Sequence, residues 1–261
     1  MVFEFDFIWV GLMNMFSFFV QGCTGFGCTV IAAAVTNGIL GVTDGVPFGT
    51  LITIPTFIVL CALSYKAVSW KDLIKIVVIC APGLFVGQKL FQIMDKTIAS
   101  ICIGAVVTVI ALMNIYKAII KPLVLHKEEN LDEEDTTFKK IFRYVCLIVG
   151  GIVHGAFNIG GPLITVYTIS AVKEKEYFRN TMTWFWLVLN SMNAFSQLSN
   201  GAWNPHLAGA LAVGLPMATV GFVLGIIFLK KIDKVTFLRI VYCVLLFVGG
   251  NMLITNLMKI L

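Results

Sequence analysis

Gln21-Gly22-Cys23-Thr24-Gly25-Phe26-Gly27 interrupts the first apolar segment of the chain, and a second interruption begins 133 residues later. The second motif is His154-Gly155-Ala156-Phe157-Asn158-Ile159-Gly160-Gly161-Pro162, again in the middle of a long apolar segment. Glycine permits backbone conformations that end a helix. Two matched breaks at membrane depth are typical of proteins that move a solute, because broken helices place polar backbone groups inside the bilayer.

The composition restricts the chain to the integral membrane proteins. Of its 261 residues, 59% are hydrophobic and 13% are charged, and the mean hydropathy is +0.94. Several apolar runs approach the length needed to cross a bilayer. The first Lys or Arg is Lys66, so the basic flank of a cleavable signal peptide is missing and we expect the first segment to stay in the mature protein. The seven cysteines show no C-x-x-C spacing and are interpreted mostly as buried small side chains.

The two halves of the chain correspond to each other. Residues of the same or similar type pair at a shift of 133 or 134: Gln21 with His154, Trp70 with Trp203, Pro82 with Pro216 and Gly87 with Gly221. Tryptophan and proline are the most informative matches, since glycine matches are common in apolar sequence. We therefore predict a first repeat over 1–116, a charged linker over 117–143 and a second repeat over 144–261.

The path of segment 7–42 decides whether the repeats are parallel or inverted. If it crosses the membrane once, the 19 Lys and Arg residues divide ten against nine between the two sides; if it turns back, they divide sixteen against three. The cytoplasmic side normally holds the excess, which favours the turned-back path. Residues 8–20 and 28–40 are each about 13 long, or ~20 Å of helix against ~30 Å of hydrocarbon. The predicted fold is an all-α integral membrane protein, an inverted-topology repeat with six full transmembrane helices and two re-entrant broken-helix hairpins whose tips meet near the midplane.

The two hairpin tips form the candidate binding site. Non-helical backbone at membrane depth must be buried in protein or line a wet cavity, because lipid offers it no hydrogen bonds. Helices that begin near Cys28 and Pro162 would direct free N–H groups and positive dipole ends at the centre, which favours an anion. The alternative is that the glycines only permit close helix packing. The predicted substrate-binding residues are Gln21, Gly22, Cys23, Thr24, Gly25, Gly27, His154, Gly155, Asn158, Gly160, Gly161 and Asn190.

His154 is the only histidine expected deep in the membrane, so it can donate to an anion or titrate during turnover. The alternative is a neutral imidazole that caps backbone groups at the break. Gln21 at the equivalent position indicates that both sites need hydrogen bonding and at most one needs protonation. Cys23 is interpreted as a buried inert thiol rather than a ligand for a sulfur-bearing substrate. Asn190 lies on a polar face of segment 180–199 that lines a pathway or bonds neighbouring helices.

Several further short stretches, together with the two motifs, carry a resemblance to a known family. They are the loop from Tyr65-Lys66 to Trp70, the stretch from Pro82 to Gly87, Gly151, and Phe178-Arg179-Asn180-Thr181. At these residues and at the paired motifs the chain resembles the sulfite exporter TauE/SafE family of membrane permeases, over nearly its whole length. The resemblance implies transport of small sulfur-containing anions such as sulfite, thiosulfate or organosulfonates by alternating access. Cys23, Thr24 and Phe26 depart from the most glycine-rich family form, which leaves the exact substrate open.

The predicted function is that of a secondary transporter for sulfur-containing oxyanions or organosulfonates, the sulfite, thiosulfate and sulfoacetate class, with the anion held between two re-entrant helix N-termini. Two alternatives stay open: a passive anion channel of the same fold, and a membrane assembly factor without transport activity. An enzyme is disfavoured, because the sequence has no H-E-x-x-H motif, nucleophile elbow or paired intramembrane carboxylates. No metal or cofactor is expected.

The expected location is the cytoplasmic membrane, with both termini outside and the linker 117–143 in the cytoplasm. The expected partners are the lipid bilayer and a small anion, while proton coupling and a homodimer are left open. The net charge of +5 comes mainly from loops and reflects topology, so no nucleic acid partner is expected.

Overall fold

A computed structural model of the chain describes residues 4–93, 96–116, 136–157, 160–199 and 201–258. Throughout these ranges the regular secondary structure is helical, without strands. The helices are α1 Asp6–Thr24, α2 Cys28–Leu51, α3 Thr53–Ser64, α4 Trp70–Ile93, α5 Lys96–Ile115, α6 Thr137–Phe157, α7 Gly161–Ala171, α8 Lys175–Ser199, α9 Pro205–Lys231 and α10 Lys234–Leu257.

Five segments within the described ranges are long and apolar enough to cross a membrane. They are Asp6–Thr24, Asp44–Ala62, Trp70–Leu90, Pro205–Lys231 and Val235–Leu257. This agrees with the all-α membrane class predicted from composition. The helix α8 is more polar than these five, because asparagine and glutamine side chains recur along it.

The chain divides into two compact units. Unit 1 contains Met1–Ala81 and Thr168–Lys231, and unit 2 contains Pro82–Tyr167 and Ile232–Leu261. Each unit combines residues from both predicted repeats, so the boundaries of the compact units do not coincide with the boundaries of the predicted repeats. The repeat boundaries at 116 and 144 stay predictions, and residues 117–135 of the predicted linker lie outside the described residues.

In unit 1 the chain from residue 4 to residue 44 turns back on itself. Glu4 and Asp44 both contact the His206 side chain, with Glu4 Oε2 3.7 Å from Nε2 and Asp44 Oδ2 2.6 Å from Nδ1. Asn204 donates its amide Nδ2 to Asp44 Oδ1 at 2.8 Å. A non-helical residue inside α2, Gly41, separates the returning helix from the part that contains Asp44. The two ends of this hairpin therefore lie beside the same end of α9.

The first helix of this hairpin is longer than the sequence predicts. The expected half-helix covers 8–20, whereas α1 is Asp6–Thr24, 19 residues or ~28 Å. The prediction that this helix is too short to cross the hydrocarbon is therefore wrong. Its last turn stays helical because α9 packs against it, and the helix ends only at Gly25. The returning part of α2, 28–40, has the predicted length of about 13 residues.

Helices α1 and α9 approach closely because glycines remove the side chains between them. A Cβ at Gly221 would overlap the carbonyl oxygen of Met15, and a Cβ at Gly225 would overlap that of Phe19. A Cβ at Gly22 would lie 3.0 Å from Gly225 Cα. Such close backbone approach is the usual way in which helices gain van der Waals contact in a membrane.

Three buried phenylalanine rings join α1, α3 and α9 in unit 1. The ring centroids of Phe18, Phe57 and Phe222 are 5.8 to 6.5 Å apart, within the range of tilted aromatic pairs. This cluster fixes α1 against both neighbours, so the break that follows α1 is held in place by packing.

In unit 2, α6 and α7 form a second helix pair and α5 packs along α10. A Cβ on Gly150 would lie 2.7 Å from Ile164 Cγ1, and one on Gly160 would lie 2.7 Å from His154 Cβ. Residue 150 therefore lies opposite residue 164, and residue 154 lies opposite residue 160. This is the register of two antiparallel helices. The chain therefore also turns back at the second motif.

Candidate functional site

The first break is three residues long and depends on two left-handed glycines. Gly25 has φ +83° and Gly27 has φ +100°, a region that residues with a Cβ rarely adopt. Phe26 between them is fully buried. The Gly25 N–H donates to the Gln21 carbonyl at 2.7 Å and closes α1. At Gly25 and Gly27 the chain thus uses the backbone freedom of glycine to end one helix and begin the next.

The other predicted residues of this motif lie in the last turn of α1, so the break is narrower than the predicted tip from Gln21 to Gly27. Gly22 packs against Gly225 of α9, which matches the packing alternative. Cys23 Sγ donates to the Gly225 carbonyl at 3.4 Å, in keeping with a structural thiol. Thr24 Oγ1 lies 2.9 Å from the carbonyl oxygens of both Val20 and Phe26, and its single proton is donated to one of them at a time. These three residues therefore stabilise the C-terminal end of α1.

Gln21 connects the two sides of the break. Its Oε1 accepts a hydrogen bond from the Cys28 N–H, the first of α2, at 3.3 Å. Its Nε2 has no hydrogen-bond partner within the described chain, although the residue is only 1% exposed. Buried donors are nearly always satisfied by protein, water or ligand. Gln21 thus caps α2 with its oxygen and offers its nitrogen to another group.

The electrostatics of the first break differ from the prediction, which counted only the positive end of α2. The C-terminus of α1 ends at Thr24 and the N-terminus of α2 begins at Cys28, so both ends lie at one break. A helix N-terminus carries about +0.5 charge and a C-terminus about −0.5 charge. The two largely cancel, so a net positive field at this break has to come from a side chain.

A cationic side chain lies beside this break. Arg179, in the first turns of α8, is 5% exposed, and its Cα would lie 3.0 Å from a Cβ built on Gly25. Trp186 on the same helix donates its Nε1 to the Gly25 carbonyl at 2.9 Å. The sequence reading used Arg179 only as part of the family resemblance and did not single out Trp186. The available signal was an arginine followed within two turns by a tryptophan in an apolar segment.

The first break lies well beyond the middle of α9. Gly22 and Cys23 are next to Gly225, close to the Lys231 end of that 27-residue helix. Lys175 at the start of α8 donates to the Leu229 carbonyl at 2.9 Å and marks the same level. The break is therefore level with the last turns of α9, and the position of the tips near the midplane stays a prediction.

The second motif, in unit 2, is built on close packing. His154, 2% exposed, and Gly155 belong to the last turn of α6, and α7 begins at Gly161. A Cβ on Gly155 would overlap the Leu84 carbonyl oxygen of α4, and one on Gly160 would overlap the Gly150 carbonyl oxygen of α6. Asn158 lies outside the described residues.

The polar face of α8 bonds to its neighbours in unit 1. Asn190 donates its Nδ2 to Thr53 Oγ1 at 2.9 Å, and Gln197 donates its Nε2 to Thr50 Oγ1 at 3.2 Å. These contacts favour the interpretation as helix-to-helix hydrogen bonding. The Oδ1 of Asn190 has no partner among the described residues.

Taken together, the spans and the buried polar breaks define a multi-pass helical membrane protein with an interrupted hairpin inside an apolar unit. The family model described as sulfite exporter TauE/SafE matches residues 10–252. The chain belongs to this family, and the resemblance found in the sequence is confirmed. Membership implies a membrane transporter or permease for sulfur-containing anions. Comparison with curated proteins and with solved structures gives no significant match.

Proposed function

We propose that this protein is a secondary transporter that carries small sulfur-containing oxyanions or organosulfonates across the cytoplasmic membrane by alternating access. Sulfite, thiosulfate and sulfoacetate are representative substrates. The proposal includes six full spans, two re-entrant hairpins related as an inverted repeat, and an anion held at the hairpin tips. Family membership and four of the five candidate spans, all except Asp6–Thr24, support it.

The observation that carries the proposal is the buried break at Gly25–Gly27. Non-helical backbone inside an apolar unit is stable only with polar partners or a polar ligand. Here it has two buried donors beside it, on Gln21 and Arg179, that lack a partner within the described chain. Buried donors with a positive charge among them are suited to an anion and unsuited to a cation.

Reconstitution of the purified protein into proteoliposomes tests the proposal. A carrier gives saturable uptake of labelled sulfite, and unlabelled sulfite inside the vesicle accelerates that uptake by counterflow. A thermal-shift screen then ranks the candidate substrates, since a ligand bound only to the folded form raises the melting temperature. The compounds in the screen are sulfate, thiosulfate, taurine, sulfoacetate and simple carboxylates. Absence of flux and of stabilisation for every sulfur oxyanion would contradict the proposal.

The two alternatives give different results in the same preparation. A passive channel gives single-channel currents and no counterflow. An assembly factor gives no anion flux and copurifies with a partner protein in fixed stoichiometry.

A further inference from the structure

Arg179 is a buried cation without a counter-ion. It is 5% exposed, and it forms no ion pair with any carboxylate of the described chain. Its Nε and Nη2 both donate to the neighbouring Asn180 Oδ1, while Nη1 has no partner among the described residues. Glu176, one turn earlier, is close enough to interact electrostatically but does not form a salt bridge. A buried charge that lacks compensation destabilises the fold.

The backbone of Arg179 lies against the first break. Gly25 lies directly against Arg179, since a Cβ there would be 3.0 Å from Arg179 Cα and 3.3 Å from its carbonyl oxygen. The Arg179 charge also acts on the Cys23 side chain. Arg179 therefore supplies the net positive charge that the opposed ends of α1 and α2 cannot supply.

The second donor belongs to Gln21, whose backbone carbonyl accepts the Gly25 N–H at the end of α1. Gln21 Nε2 is buried and has no partner within the described residues, and its orientation is fixed because Oε1 accepts the Cys28 N–H. The amide nitrogen cannot exchange places with the oxygen without losing that bond. Two buried donors, one charged and one neutral, thus belong to residues that adjoin the same break.

We propose that Arg179 and Gln21 form an anion subsite beside the first break, and that this subsite takes one singly charged oxyanion group such as a sulfonate. One guanidinium balances one negative charge, and the two helix ends add nearly nothing. A doubly charged anion would leave one charge unbalanced inside an apolar unit, which is unfavourable. The inference rests on the proposed function and narrows it, because among the representative substrates it favours hydrogensulfite and a sulfonate group over the dianion thiosulfate.

The test compares methanesulfonate with sulfate, two tetrahedral sulfur oxyanions of one and two charges, on the purified full-length protein. The readout is the anion concentration at half-maximal thermal stabilisation. For the wild type we expect a saturable shift with methanesulfonate and a half-maximal concentration for sulfate that is about tenfold higher or more. For Arg179→Gln we expect the methanesulfonate value to rise about tenfold or more, because a charge-assisted hydrogen bond is lost.

Gln21→Glu is the second variant and is nearly isosteric. Its carboxylate still accepts the Cys28 N–H, but it places a negative charge where the anion would bind. We expect the methanesulfonate shift to disappear and the melting temperature without anion to rise, because the new carboxylate pairs with Arg179. The matched control is Arg239→Gln, which removes a half-buried arginine of α10 and should leave the half-maximal concentration unchanged.

Two outcomes would overturn the subsite. One is a wild-type half-maximal concentration in either Arg179→Gln or Gln21→Glu, whatever the melting temperature of the variant. The other is sulfate binding as tightly as methanesulfonate. Should Arg179→Gln not fold, Arg179→Lys replaces it and should show an intermediate loss, because lysine keeps the charge but not the planar fork. Wild-type protein that transports no sulfur oxyanion contradicts the proposed function itself, whereas transport that survives in all these variants contradicts only the subsite.

Discussion

At the scale of single residues, the glycines of the two motifs have different tasks. Gly25 and Gly27 are required by their positive φ, whereas Gly22, Gly155 and Gly160 are required by close backbone approach. A sequence shows the same letter in both cases. The distinction matters for mutation, because the first group tolerates no side chain on conformational grounds and the second group tolerates none on steric grounds.

Gly25→Ala should destabilise the protein by about 1–2 kcal/mol or more, because alanine in the left-handed region is strained and its Cβ would meet Arg179 Cα at 3.0 Å. The matched control is Gly38→Ala in α2, where a Cβ would meet nothing within 4 Å. That change should stabilise by about 0.5–1 kcal/mol. Thermal unfolding of both variants in the same detergent measures the difference, and equal melting temperatures would contradict the assigned backbone conformation.

His154→Gln should reduce the pH dependence of sulfite uptake if proton coupling passes through this side chain. His154 is buried in the last turn of α6, and an ionisable group at that depth is unusual without a function. Glutamine keeps a donor and an acceptor, and Gln21 holds the corresponding position of the first motif. Uptake into proteoliposomes across a pH series is the measurement. An unchanged pH profile would leave His154 with a structural role only.

At the scale of elements, the position of the first break is set by helix packing. The contact of α1 with α9 extends from Gly11 near its start to Gly22 near its end, and the buried Phe18 lies between them. The end of α1 is thus buried at Gly25 against α8. Helix α2 returns to the level of His206, where Asp44 forms two strong polar contacts. The hairpin is therefore held at its tip and at both of its ends.

Gly221→Ala should weaken this arrangement by about 1–3 kcal/mol, because an added methyl group must separate two packed helices. A Cβ at Gly221 would overlap the carbonyl oxygen of Met15, which is backbone and cannot move aside. Gly250→Ala in α10 is the control, since a Cβ there meets nothing within 4 Å. Thermal unfolding compares the two variants. A melting temperature for Gly221→Ala at or above that of the control would refute close packing of α1 on α9.

At the scale of the whole molecule, the proposed topology follows from the returning hairpin and from charge. If segment 7–42 returns to the side from which it started, sixteen Lys and Arg residues fall on one side and three on the other. The cytoplasmic side normally carries the excess. Contacts of Glu4 and Asp44 with the same histidine support the returning path.

Reporter fusions test this topology. An alkaline phosphatase fused after Leu261 should be active, because the C-terminus is expected outside, and a green fluorescent protein at the same position should be dark. Both reporters inserted at Asn130, in the linker 117–143, should give the opposite result. Identical behaviour at the two positions would mean that an even number of crossings separates them, and the inverted repeat would be lost.

Sequence reasoning predicted the helical membrane class, the family and the two interruptions, because these depend on composition and on local glycine chemistry. It also predicted the starts of α2 near Cys28 and of α7 near Pro162 to within one residue. It gave α1 the wrong length. A glycine such as Gly22 weakens a helix only slightly, and whether the helix continues through it depends on a neighbour that the local sequence does not reveal.

The sequence by itself determined that the chain lies in a membrane and that its helices are interrupted within the two glycine motifs, since hydropathy and backbone freedom are properties of the residues. Only the tertiary structure decided which charge lies at the first break. Arg179 is 154 residues away from Gly25 along the chain, so the local sequence does not show that the two residues lie together. Its burial results from the packing of α8 against the tip, because the effect of a charge depends on the groups around it rather than on its place in the sequence.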